Sequence, residues 1–133
     1  MAETQQSLED LLVDEKEINR EILQELLSDY VRIGKQSGRL IPQKEFDKLT
    51  AERKVLVTLL SQHAQYELEM AEAEWLTPAT IGEQSGLKAG TVRPMVKQLK
   101  DKGVIEDDDG SYRVPTHGLA RAQKYIEESD NEQ

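Results

Sequence analysis

Between Thr77 and Pro115 the chain carries its starts and stops at very short intervals, and that spacing constrains the fold more than any other feature. Thr77-Pro78 reads as a helix start: threonine caps, and proline at the first helical position gives up no hydrogen bond that the helix would make. Gly86 stops this helix after two to three turns. A second helix must then fit between the Ser85-Gly86 turn and Gly103, a residue suited to the position just past a helix end. Asp109-Gly110 lies between two strand-like runs and is a strong two-residue hairpin signal. The expected order is short helix, tight turn, helix, hairpin.

The second helix carries two stripes. Val92, Met95, Val96 and Leu99 sit at i, i+3, i+4 and i+7 and share one apolar face. Arg93, Lys97 and Lys100 run i, i+4, i+7 on a stripe rotated by roughly 100–120° from it. Gln98 and Asp101 fall on the other flank. Pro94 would cost about 3 kcal/mol in a helix interior. It is therefore expected that Thr91 is the N-cap and Pro94 the third helical residue, whose N–H has no intrahelical partner. In the hairpin a two-residue turn sets Ile105 opposite Val114 and Glu106 opposite Arg113, the latter as an ion pair. Pro115 ends the strand. Thr116 is expected to cap a last helix in which Leu119, Ala122 and Ile126 align.

Upstream, Ser7 to Asp10 and Asp14 to Glu17 both read as caps with an acid three residues on. Ile18, Ile22, Leu26 and Tyr30 recur every four residues, with Leu23 and Leu27 beside them, as one stripe of an amphipathic helix. Residues 30–42 flank the turn-rich Gly34-Lys-Gln-Ser-Gly38 and read as a small hairpin or an irregular loop, with Pro42 placing its second half at an edge. Thr50 starts a long helical pattern that the sequence extends to Trp75, with Val55, Leu56, Leu59, Leu60 and His63 on one face. The division expected is an N-terminal helical arm at 1–49, a main domain at 50–128 and a frayed tail at 129–133.

Charge narrows the function. The net charge is -9, which opposes indiscriminate binding to phosphate. Divided into 1–49, 50–75, 76–85, 86–103, 104–114 and 115–133, the chain is positive only in the segment 86–103, with five cations against one acid, or +4; residues 104–114 follow with one cation against four acids, or -3. No cysteine is present, so disulfides and thiolate-bound metals are excluded. No apolar run approaches membrane-spanning length. The acidic Met1 to Leu12 lacks a basic leader, so a cytoplasmic protein is expected. His63 and His117 stand alone, the Asp107-Asp108-Asp109 run lacks the alternating oxygens and distal Glu of a calcium loop, and no nucleophile or phosphate-loop motif occurs. No catalytic residue, metal or cofactor is expected, and no enzyme.

The stretch TPATIGEQSGLKAGTVRPMVKQLKDKGVIEDDDGSYRV resembles the winged helix-turn-helix superfamily, particularly small prokaryotic transcription regulators. The likeness covers about residues 50–128 and runs through Ile81, Gly86, Leu87, Thr91, Val92, Val96, Leu99, Lys102, Gly103 and Ile105. It implies a mainly α fold with a small β-hairpin, a winged helix-turn-helix with an N-terminal helical arm. It also implies a sequence-specific regulator with double-stranded DNA as partner. Lys88, Thr91, Arg93 and Lys97 take recognition-helix positions, with Lys100 beside them. Asp108, Asp109, Gly110, Ser111 and Arg113 take the wing. The acidic tip departs from the often basic wing of DNA-binding members, so it is expected to face away from DNA or to dock a basic protein. Ile18, Ile22, Leu26 and Tyr30 are a homodimer interface, or alternatively a lid over the main domain. The competing function is a winged-helix interaction module in a larger assembly, using the acidic wing and the N-terminal helix.

Overall fold

The computed structural model describes residues 7–131, with side chains described through Glu128. The chain is mainly helical, with two small antiparallel hairpins. After a 3-10 turn at Leu8–Leu11, helix α1 spans Glu15–Leu27. The Asp14 carboxylate accepts from the Lys16 and Glu17 amides at 3.1 and 3.3 Å, the capping read from sequence. Strands β1 (Val31–Ile33) and β2 (Leu40–Pro42) pair in the register Val31 to Pro42 and Ile33 to Leu40, so residues 30–42 form a hairpin and not a loop. A single turn, α2 (Lys44–Asp47), follows and buries Phe46.

Helix α3 spans Ala51–Glu67 and is the centre of the molecule. Thr50 Oγ1 accepts from the Arg53 amide at 3.3 Å. Val55, Leu56, Val57, Leu59 and Leu60 are all fully buried. A helix buried all round is covered by neighbours on every side, and α1, α4, α5 and β4 all pack on α3. It ends eight residues before Trp75, where the sequence pattern ran on. Glu69 takes a left-handed φ of 62°, and the Glu69 and Met70 amides donate back to the Tyr66 and Gln65 carbonyls at 3.0 and 2.8 Å. That is a Schellman stop made without glycine.

Leu76 exchanges two backbone hydrogen bonds with Tyr112, at 2.9 and 2.8 Å. Helix α4 (Pro78–Ser85) follows, with Thr77 Oγ1 accepting from the Thr80 amide at 3.3 Å and Gly86 at φ 83° closing it. Helix α5 spans Ala89–Asp101, and Gly103 ends it at φ 77°. Strands β3 (Glu106–Asp108) and β4 (Ser111–Arg113) pair as Glu106 to Arg113, the register expected. Asp109 and Gly110 both have positive φ, 51° and 86°, as a tight turn matched to strand twist requires. A 3-10 turn at Thr116–Gly118 leads into α6 (Leu119–Asn131), which buries Leu119, Ala122 and Ile126. Thr116 makes no cap, because it lies within that turn, one step ahead of the helix. At the tail, the α6 backbone stays helical to Asn131; Glu132 and Gln133 lie outside the described residues, as do Met1 to Gln6 of the arm.

One apolar cluster runs from Leu23 to Ile126 and includes residues of the arm, Leu23, Leu26, Leu27, Val31 and Phe46. Helix α1 packs on both α3 and α6. Of the four stripe residues, Leu26 is only 5% exposed and Ile22 and Tyr30 are half-buried, while Ile18 keeps 40% exposure. The stripe thus covers the main domain. A dimer built on it has only Ile18 left to offer as an exposed side chain.

Candidate nucleic-acid interface

The positive segment 86–103 falls on α5, and local packing sets its orientation. Val92, Val96 and Leu99 are fully buried against the core and Met95 is half-buried. The remaining sides face outward. Lys88, Thr91, Arg93, Lys97 and Lys100 are all exposed, so the cation stripe lies where the spacing put it. The close approach of α4 to α5 depends on Gly82: a Cβ there would stand 2.7 Å from the Leu87 carbonyl oxygen.

The helix begins one turn earlier than Pro94 suggests. Lys88 is the N-cap, and its carbonyl accepts from the Thr91 and Val92 amides at 2.9 and 3.0 Å. Pro94 therefore lies inside α5. Its missing N–H deprives the Gly90 carbonyl of a helical partner. Gly90 is exposed, and nothing lies within 4 Å of where its Cβ would be. The earlier start also moves Thr91 into the helix. At about 100° per residue, Thr91 stands roughly 160° around the axis from Arg93 and shares a flank with exposed Gln98. The outward crest between the two flanks carries Gly90, Pro94, Lys97 and Asp101. Sequence reasoning missed Gln98 as a partner for Thr91, because the misplaced start hid their common side.

Not every cation in the stretch is available. Lys100 Nζ lies 3.0 Å from Asp107 Oδ1 of the hairpin. The hydrogen bond that its ammonium donates to Asp107, then the Asp107 charge, holds Lys100 above its ordinary pKa. Lys102 turns the other way. Its Nζ reaches Glu52 at 3.2 Å and the Tyr125 hydroxyl at 3.1 Å, and Tyr125 donates to Glu52. Among the described residues Lys88, Arg93 and Lys97 form no ion pair. Of the five cations in residues 86–103, three are open among the described residues: Lys88 at the N-cap, and Arg93 and Lys97 in the first three turns of α5.

The hairpin beside α5 is held from behind. Arg113 donates from Nε to Glu106 Oε1 at 2.7 Å, lies 3.2 Å from Glu74 Oε2, and stacks 4.4 Å over the Trp75 ring. The Glu106–Arg113 pair was legible in sequence, whereas Glu74 and Trp75 were not, since the stretch after α3 read as helix. His63 is buried in α3, and its Nδ1 donates to the Val114 carbonyl at 2.9 Å, with Glu74 at 3.4 Å. Through that hydrogen bond it links α3 to the end of the hairpin. Arg113 is thus engaged within the chain, whereas Asp108, Asp109 and Gly110 are exposed at the tip and Ser111 is half-buried. The expectation that all the hairpin acids face away from the cations fails at Asp107, because its strand runs close enough to α5 for the ion pair.

Elsewhere, an open groove of about 640 Å³ lies between α1, β1 and the end of α3, lined by Leu27, Val31, Ala64 and Leu68 and by no residue of α5. Leu8, Leu11, Leu12 and Val13 are 63–80% exposed ahead of α1. Among the described residues no group of His, Asp and Glu is placed to hold a metal ion, and no helix is long and apolar enough to cross a membrane. No protein-family model, curated protein or solved structure matches the chain.

Proposed function

We propose that this chain is a winged helix-turn-helix protein that reads double-stranded DNA with α5 and acts as a transcriptional regulator. What supports the reading is the order α3, the Leu76 rung, α4, α5, then the β3–β4 hairpin as wing. The observation that carries it is the outward side of α5, where Arg93 and Lys97 are exposed and form no ion pair among the described residues, with exposed Lys88 at the N-cap just ahead, on a helix whose opposite side is fully buried. A helix presented in this way fits a major groove, its N-terminal residues toward base edges. Arg93 is the side chain suited to bidentate contact with guanine. Lys88 and Lys97 supply phosphate attraction that is indifferent to sequence. Thr91 and Gln98 offer hydroxyl and amide groups on the second flank. The side-chain-poor crest of Gly90 and Pro94 lets the helix backbone approach the duplex closely.

The test is selection of genomic fragments by the purified protein at two salt concentrations, followed by single substitutions. Arg93→Ala is expected to relax base preference at one position, at a cost of about 1–3 kcal/mol on the selected site. Lys97→Ala is expected to weaken all duplexes alike and to lower the salt slope by about one unit. If both variants bind the selected fragments as tightly as the wild type, α5 is not the reading element. The exposed, unpaired Asp108 and Asp109 favour a second reading, a winged-helix interaction module docking a basic protein. Absence of any duplex binding at low salt, together with a stoichiometric partner lost in Asp108→Asn/Asp109→Asn, would establish it instead.

A further inference from the structure

We infer that Asp107 is a specificity-determining residue of the α5 interface, acting by occupying Lys100 and so withholding one phosphate-binding cation from any duplex. The inference rests on the DNA-binding reading above. Lys100 lies on the same stripe as Arg93 and Lys97, two turns beyond the first and one beyond the second, and among the described residues it alone of the three has its charge met, by Asp107 at 3.0 Å. Lysine contributes chiefly the sequence-independent part of affinity, the term set by the number of phosphates neutralised. Cancelling that charge weakens binding to every sequence and leaves the base-edge contact of Arg93 untouched. A loss shared by all sequences leaves the ratio of specific to non-specific affinity unchanged; the ratio rises where a specific complex draws Lys100 away from Asp107 and a non-specific one does not.

The pair is a graded brake. Its side chains are 50% and 36% exposed, and exposed ion pairs are weak and screened by salt. A phosphate can compete for Lys100 wherever the rest of the interface holds the duplex in register. A random duplex, lacking that hold, meets a paired lysine and a carboxylate. Asp108 and Asp109 lie next in sequence but are paired with no lysine among the described residues. They add repulsion without controlling any one cation.

Asp107→Asn, Lys100→Gln and the double variant are compared with the wild type on a selected fragment and on a random duplex. Each freed phosphate contact adds about 0.9 to the salt slope. On the random duplex Asp107→Asn is therefore expected to steepen it by that amount, so that its gain over wild type there is about 3.5-fold greater at about 50 mM salt than at about 200 mM. The gain is expected to be larger on the random duplex, lowering the specificity ratio, and to vanish in the Lys100→Gln background. Asp108→Asn, with the same loss of charge, is expected to leave the slope unchanged. If the wild type binds but Asp107→Asn changes neither affinity nor slope, the brake is overturned while DNA binding stands. It is likewise overturned if Asp107→Asn gains as much with Lys100→Gln, or if Asp108→Asn has the same effect. If neither wild type nor Asp107→Asn binds any duplex at the lower salt, the DNA-binding reading falls and the brake falls with it.

Discussion

Gly82 and Gly90 show how two glycines eight residues apart carry opposite meanings. At Gly82 a methyl group would press on the Leu87 carbonyl oxygen at 2.7 Å, a backbone atom that cannot move without shifting the turn between α4 and α5. Gly82→Ala is expected to destabilise by about 1–3 kcal/mol, as overpacking does. At Gly90 nothing lies within 4 Å and the residue is helical, so Gly90→Ala is expected to stabilise by about 0.5–1 kcal/mol through reduced freedom of the unfolded chain. Urea midpoints of the two variants check the pair, and equal shifts would contradict the packing described. Neither sign could be read from sequence, where both are glycines near a turn.

Contacts between elements place a second demand on the chain, and here pH is the lever. Glu52 at the start of α3, Lys102 at the end of α5 and Tyr125 in α6 meet in one polar cluster. The Tyr125 hydrogen bond is the largest cause of the raised Lys102 pKa, with Glu52 adding to it. A raised lysine gives stability that is complete below the ordinary lysine pKa and lost as pH rises through the raised one. Burial, then the bond to Glu52, raises Tyr125. The unfolded chain therefore ionises this tyrosine first, and stability again falls as pH climbs past its ordinary value of about 10. Both effects have one sign, so the unfolding midpoint is expected to decline above about pH 10. Tyr125→Phe removes the tyrosine share, and its decline should be shallower. Identical profiles for wild type and Tyr125→Phe would show that the cluster does not couple α6 to the rest.

For the molecule as a whole, the N-terminal helix is part of the same body as the cationic helix. Leu26 is closed into the shared core, and Leu26→Ala is expected to cost about 2–5 kcal/mol. Ile18 is half open to solvent, and Ile18→Ser is expected to stay within about 0.5 kcal/mol of wild type. Thermal unfolding separates these outcomes; a comparable loss in both would mean that Ile18 is covered. The charge layout also takes its meaning at this scale. The chain as a whole is acidic, at -9, so the open cations at Lys88, Arg93 and Lys97 act against a net charge that opposes phosphate at long range.

Much of this protein was legible along the chain, because caps, glycine stops and hairpin turns are contests among neighbouring residues. Asp14, Thr50, Thr77, Gly86, Gly103 and Asp109-Gly110 each mark a boundary where the local energetics are decided within four residues. Periodicity likewise placed Val92, Val96 and Leu99 inward and Arg93, Lys97 and Lys100 outward. What stayed hidden depended on partners distant in sequence or on backbone that local rules disfavour. The stop at Glu69 uses a left-handed residue that is not glycine, and Pro94 lies inside a helix that local rules would start one turn later. Only the folded chain sets which acid meets which base. Asp107 reaches Lys100, Glu52 reaches Lys102 and Glu74 reaches Arg113, pairings whose distances are fixed by how helices and hairpin pack and not by spacing along the sequence.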